Sequence, residues 1–208
     1  QPQVMGILNV TPDSFSDGGQ FLNPDKALIH IERLIKEGAT LIDIGAESTR
    51  PGAEPVSISE ECDRLMPILK QFGRHFSVPL SLDTVKPEVM ALGLQYNVSI
   101  INSVQPIHEH PKVMDVLKNQ AVDVVLMHMI GTPQTMQNQP EYDDVVDDID
   151  MFFEQGIRQL TSHIQGSVIL DPGIGFGKTR EHNVKIMNQL ARFKQHHCPL
   201  MIGVSNKS

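Results

Sequence analysis

The sequence predicts a parallel α/β fold, of the (β/α)8-barrel or the open doubly wound kind. Short apolar runs rich in β-branched residues recur at intervals of roughly 20–40 residues. Segments with helical periodicity separate them, and strand alternating with helix is the pattern of a parallel sheet. Most of the runs are continuously apolar rather than alternating, as befits strands covered on both faces.

Seven strands are expected, at residues 4–8, 40–45, 78–82, 98–101, 122–127, 167–170 and 200–204. Six helices are expected between them, at 24–37, 58–72, 87–95, 111–119, 142–164 and 179–195. The first places Ala27, Leu28, Ile31, Leu34 and Ile35 on one face, with Pro24 at a first helical position and Gly38 ending the run. The second opens on Ser57 and Glu60, spaced as a capping box. No linker, low-complexity tract or close repeat interrupts the alternation, so residues 1–208 are expected to form a single domain. The turn Asp171-Pro172-Gly173-Ile174-Gly175-Phe176-Gly177-Lys178-Thr179 fails both nucleotide fingerprints of open sheets. The first Gly of a P-loop would fall at Pro172, and the third Gly of GxGxxG at Lys178. That failure lowers the open-sheet reading.

Composition narrows the function. With 17 Lys+Arg against 25 Asp+Glu, the net charge of −8 argues against a nucleic-acid or anionic-membrane partner. No apolar run approaches the ~18 residues of a membrane span. Gln1-Pro2-Gln3 shows no leader pattern and no initiator Met, so a trimmed start is expected. Cys62 and Cys198 make no disulfide framework, which fits a cytoplasmic location. Neither sits where a thiol nucleophile is expected.

The polar residues are positional. Asn9, Asp83, Asn102 and Asp171 each follow an apolar strand run directly. The second strand leads into Glu47-Ser48-Thr49-Arg50-Pro51-Gly52, and the seventh into Ser205-Asn206-Lys207. In a parallel barrel such ends meet at the mouth where barrel enzymes place their sites. The competing explanation for any one of them is that Asp or Asn after a strand caps the next helix. No Ser-His-Asp or Cys-His set and no metal-ligand spacing is present. His128, at the fifth strand end, is the one histidine near the expected mouth, and a structural role outweighs a functional one for it. Carboxylates and amides with Arg50 and Lys207 suit a flat polar heterocycle plus an anion. Catalysis would then come from positioning and leaving-group stabilisation.

The run Ile7-Leu8-Asn9-Val10-Thr11-Pro12-Asp13-Ser14-Phe15-Ser16-Asp17-Gly18-Gly19 resembles the first signature of the dihydropteroate synthases. The resemblance continues through Ile42-Asp43-Ile44-Gly45-Ala46-Glu47-Ser48-Thr49-Arg50-Pro51-Gly52, Ser81-Leu82-Asp83-Thr84, Ile100-Ile101-Asn102 and Leu126-Met127-His128-Met129. It ends with Leu170-Asp171-Pro172-Gly173-Ile174-Gly175-Phe176-Gly177-Lys178 and Gly203-Val204-Ser205-Asn206-Lys207-Ser208.

The resemblance implies a (β/α)8 TIM barrel of folate biosynthesis. It implies condensation of 6-hydroxymethyl-7,8-dihydropterin pyrophosphate with p-aminobenzoate, with Mg²⁺, in a sulfonamide-sensitive homodimer. Position by position, Asp83, Asn102, Asp171 and Lys207 match the pterin pocket, with Met127 and Phe176 as its apolar walls. Asn9 matches the residue near Mg²⁺ and pyrophosphate. Phe15, Thr49, Arg50, Pro51 and Ser205 match the surroundings of p-aminobenzoate and the leaving group. The expected catalytic set is Asp83, Asp171, Lys207 and Arg50.

Two departures stand out. Ser103 replaces a usual Asp, and Asn206 a usual Arg, whose fork and charge an amide lacks. With the absence of the anion-binding residues that the resemblance places in an eighth strand, they motivate an alternative, a pterin-binding paralogue with little or no synthase activity. A methyltetrahydrofolate methyltransferase is the third reading, opposed by the first signature and by Ser48-Thr49-Arg50-Pro51. A (β/α)8 barrel typically needs ~250 residues. Seven strands and six helices therefore read as a barrel lacking its last helix-strand-helix, and the fold is expected to continue beyond Ser208.

Overall fold

The computed structural model describes residues 2–11, 23–48, 54–130 and 142–203. They fall into two compact units, one up to Asn102 and one from Ser103 onward. In the first, β1 (Met5–Asn9), β2 (Leu41–Gly45), β3 (Leu80–Asp83) and β4 (Ile100–Asn102) alternate with α1 (Pro24–Lys36), α2 (Ile58–His75) and α3 (Pro87–Gln95). The strands pair in sequence order and in parallel, with Asn9 opposite Gly45, Gly45 opposite Asp83, and Asp83 opposite Asn102. Every residue of β2 is buried, as a strand covered on both faces must be.

Local chemistry starts each helix. The Asn23 side chain accepts from the Asp25 and Lys26 amides at 3.0 and 3.4 Å, with Pro24 just inside α1. Ala27, Leu28 and Ile31 of the expected face are buried. Ser57 accepts from the Glu60 amide at 3.2 Å. The reciprocal half of that expected capping box is not made, because the Glu60 carboxylate pairs with Arg64 one turn on. Pro67 lies inside α2, which nevertheless runs on to His75, three residues past the expected end.

The second unit holds a 3₁₀ turn (Ile107–Glu109), α4 (Pro111–Leu117), β5 (Asp123–Met127), α5 (Val145–Thr161), β6 (Val168–Asp171) and α6 (Arg180–Asn188). β5 and β6 are parallel, with Met127 opposite Asp171. Phe153 of α5 packs edge-on against Phe193 at 5.2 Å, and both are buried. Asp144 caps α5 through the Val146 amide and also holds Lys185 of α6 at 2.7 Å. The expected sixth helix breaks at Gln189 and continues as a 3₁₀ segment (Leu190–His196). Of the expected seventh strand, the described residues show one parallel bridge, Leu200 to Leu170, with Met201 N donating to the Leu170 carbonyl at 2.8 Å.

Candidate functional site

In the first unit, Asp83 is the last residue of β3 and Asn102 the last of β4. Each is thus a strand residue held by the ladder. Neither caps a helix: α3 starts from Lys86 and α4 from His110, both without a side-chain cap bond. The helix-cap explanation therefore fails for both. Asn102 Nδ2 donates to Asp43 Oδ1 at 3.3 Å, and Asp43 is only 2% exposed. Burial holds Asp83 well above the usual carboxylate range, and the charges of Asp43, Glu61 and Glu47 push it further. Asp43 is raised too, chiefly by burial, with the Asn102 bond opposing. Such a group favours a partner that brings N–H donors or positive charge.

Asn9 closes β1 and is exposed. Among the described residues no three His, Cys, Asp or Glu side chains gather to hold a metal ion. A hollow of about 710 Å³ beside α2, lined by Asp63, Met66, Lys70, Arg74 and Tyr96, contains none of the candidate groups.

In the second unit, Met127 closes β5 and Asp171 closes β6, both buried. The His128 amide donates to the Asp171 carbonyl at 3.0 Å. Asp171 Oδ1 accepts from the Gly173 amide at 2.7 Å, so turn formation accounts for part of this residue. It is no helix cap, because Thr179 caps α6 in a full box with His182. Burial lifts Asp171 to about 6, against the opposing pull of the Gly173 amide and the Lys178 charge. Lys178 is buried, and its Nζ donates to the His128 carbonyl at 3.0 Å and the Phe176 carbonyl at 2.9 Å. Burial draws its pKa down to about 7, with Asp171 acting against the shift. Phe176 is half-buried in this turn.

His128 is 4% exposed and sits edge-on to Phe152 at 5.1 Å, with Nδ1 unpartnered. Burial first, then the Lys178 charge, lowers it to about 3. It is a neutral packing residue, not a general base near neutrality. Cys62 and Cys198 are free and half-buried, and burial raises both thiols, so neither is an activated nucleophile.

A family model described as pterin binding enzyme matches residues 5–208. The chain is 43% identical to the dihydropteroate synthase of Escherichia coli strain K12, over 100% of this chain and 74% of that protein. It resembles the Yersinia pestis dihydropteroate synthase, solved as a sulfonamide drug complex, with a TM-score of 0.88 and 43% identity over 100% of this chain and 76% of that one.

The chain belongs to the dihydropteroate synthase family.

A second solved dihydropteroate synthase, from Xanthomonas albilineans with 4-aminobenzoic acid, matches with a TM-score of 0.86 and 41% identity over 99% of this chain and 73% of that one. The parallel α/β order of this synthase chain is that of the barrel class its sequence predicts.

Of the expected synthase residues, Asp83 and Asn102 come together in the first unit and Met127 and Asp171 in the second, with Phe176 in the turn that follows β6. Phe15, Thr49, Arg50, Pro51, Ser205 and Lys207 lie outside the described residues. Two buried groups of the synthase chain, Asp43 within β2 and Lys178 in the turn after β6, carry no separate expectation from the sequence. Asp43 was legible as a lone carboxylate inside the apolar run Leu41–Gly45. Lys178 carried no such signal, because only folding reveals that its ammonium is buried.

Proposed function

We propose that the chain condenses 6-hydroxymethyl-7,8-dihydropterin pyrophosphate with p-aminobenzoate, giving 7,8-dihydropteroate and pyrophosphate. The observation that carries this is a strand-end carboxylate in each unit, Asp83 in the first and Asp171 in the second, each raised by burial and neither used to cap a helix, in a chain of this family. Asp83, Asn102 and Asp171 are assigned to the pterin's N–H and C=O groups, with Lys207. Met127 and Phe176 are assigned to its ring faces. Phe15, Thr49, Arg50, Pro51 and Ser205 are assigned to p-aminobenzoate and the departing anion.

The proposed step is displacement at the pterin methylene. The C–O bond to pyrophosphate breaks, and the amine nitrogen of p-aminobenzoate forms the new C–N bond and then loses a proton. The carboxylates around Asp83 stabilise positive charge developing on the ring and methylene. No covalent enzyme intermediate is needed. Bound Mg²⁺ would supply charge neutralisation on the leaving pyrophosphate. Asn9, exposed at the end of β1, would offer its amide oxygen to such an ion.

The single domain over residues 1–208, a homodimer, a cytoplasmic location and competition by sulfonamides for the p-aminobenzoate position belong to the same proposal. Among the described residues no helix is long and apolar enough to cross a membrane.

One paired measurement tests the reading. The chain is supplied with pterin pyrophosphate, p-aminobenzoate and Mg²⁺, and both pteroate formation and pterin binding are followed. Product formation is expected. Binding without product supports the paralogue instead. That second reading rests on Ser103, which is buried with its Oγ accepting from the Gln105 amide at 3.2 Å, where the family usually has a carboxylate. Absence of both binding and product refutes both readings.

A further inference from the structure

We propose that Lys86 is a positioning residue of the first unit, its ammonium joining the ends of β2 and β3 to α2 and so setting the placement of Asp83 and Asn102. The inference rests on the assignment of those two residues to the pterin.

The geometry is a closed network. Lys86 Nζ makes a short ion pair with Glu47, which follows β2, and donates to Glu61 Oε2 of α2 at 2.6 Å. Glu61 is fully buried, and its other oxygen accepts from Thr84 Oγ1 at 2.7 Å. Thr84 Oγ1 accepts in turn from the Lys86 amide at 3.2 Å. The Thr84 amide donates to the Asn102 carbonyl at 3.0 Å, which ties the network to the end of β4. Glu47 Oε1 accepts from the Val56 amide at 3.1 Å, so one carboxylate holds both ends of the β2–α2 connection. Asp83 is the residue before Thr84, and its backbone is fixed from both directions.

Two features argue against a purely local role. Lys86 occupies the N-cap position of α3, where Ser, Thr, Asp or Asn is preferred and the helix dipole disfavours a cation. It makes no side-chain cap bond there. A buried carboxylate paired to lysine is also seldom more stabilising than an apolar packing of the same volume. The network therefore serves placement, and it balances charge. Asp83 faces Asp43 on β2, Glu47 after β2 and Glu61 on α2, and Lys86 is bonded to two of these three.

Lys86→Met, Lys86→Arg and the double variant Lys86→Met/Glu61→Gln are compared with the unaltered chain. Amide exchange at Val56 and Thr84 reads placement without any ligand. Pterin affinity against pH reads the effect on Asp83. In Lys86→Met, exchange at both amides is expected to accelerate at least tenfold. Pterin is expected to bind at least tenfold more weakly, with its pH midpoint moved upward because Glu47 and Glu61 are no longer neutralised. Lys86→Arg should return affinity to within threefold. The double variant removes the unpaired buried charge of Glu61 and leaves that of Glu47; it should fold, return the pH midpoint part of the way and still bind weakly. Exchange unchanged in Lys86→Met, or in the double variant should the single one fail to fold, overturns the proposal. So does unaltered affinity with an unaltered pH profile. If the unaltered chain binds no pterin, the functional assignment fails while exchange still decides the placement claim.

Discussion

Gly173→Ala is the sharpest test of how the β6–α6 turn is built. Gly173 has φ +67°, a left-handed conformation. Placing an L side chain there costs roughly 1–2 kcal/mol. An added Cβ would also collide with the His128 carbonyl oxygen and come within 3.1 Å of Lys178 Nζ. That oxygen is an acceptor for Lys178, and the Gly173 amide holds the Asp171 carboxylate, so neither neighbour can retreat without loss. Overpacking against such a site adds ~1–3 kcal/mol. The sum is about 2–5 kcal/mol, or a melting point lower by roughly 4–20 °C for a chain of this size. Gly38→Ala is the matched control, with φ +112° but no atom near the added Cβ. It reports backbone strain without a collision. Melts followed by circular dichroism, with pterin affinity measured alongside, give the comparison. A Gly173→Ala protein that melts within ~2 °C of the parent and binds pterin equally well would refute the close-approach reasoning.

Other outcomes follow from the same geometry. Asp171→Ala should abolish pterin binding in a titration calorimetry experiment, and unchanged affinity removes Asp171 from the site. With Asp171 near 6, pterin affinity should rise as pH increases through that value and then level off. The same raised pKa makes this group's contribution to apo-protein stability greatest below pH ~4 and lost as pH rises toward 6, by about 3 kcal/mol. Urea titrations across that window measure it, and a stability that climbs from this group over pH 4–6 contradicts the assignment. Gly73→Ala, in the last turns of α2 with open space around the added Cβ, should stabilise by roughly 0.5–1 kcal/mol. A lower melting point for that variant would show that Gly73 has a role beyond helix propensity.

Much of the site's polar chemistry was legible because it stands out against apolar strands. Asp83, Asn102 and Asp171 each end a largely apolar strand run. Whether each was a helix cap was not legible. That depended on which residue begins the next helix, and Lys86, His110 and Thr179 fill those places. The half-made box at Ser57 shows the same limit. Spacing allowed Glu60 two partners, and Arg64 took it. The unforeseen break at Gln189 lies in a weakly amphipathic stretch where only Ile186 of α6 is buried. Periodicity alone could not fix where that helix stops.

The sequence by itself determined the alternation of strands and helices, much of the buried faces and the family; Leu34 and Ile35 of the expected α1 face are only half-buried. These follow from local periodicity and from contiguous motifs, which any short window contains. The tertiary structure decided which polar groups share bonds. Lys86 meets Glu61 across 25 residues and Asn102 meets Asp43 across 59. The first forms where α2 packs beside the start of α3, and the second where β2 and β4 flank β3. Burial then shifts Asp83, Asp171 and Lys178 away from their ordinary protonation. No local pattern encodes either event, because desolvation and register are properties of the packed chain.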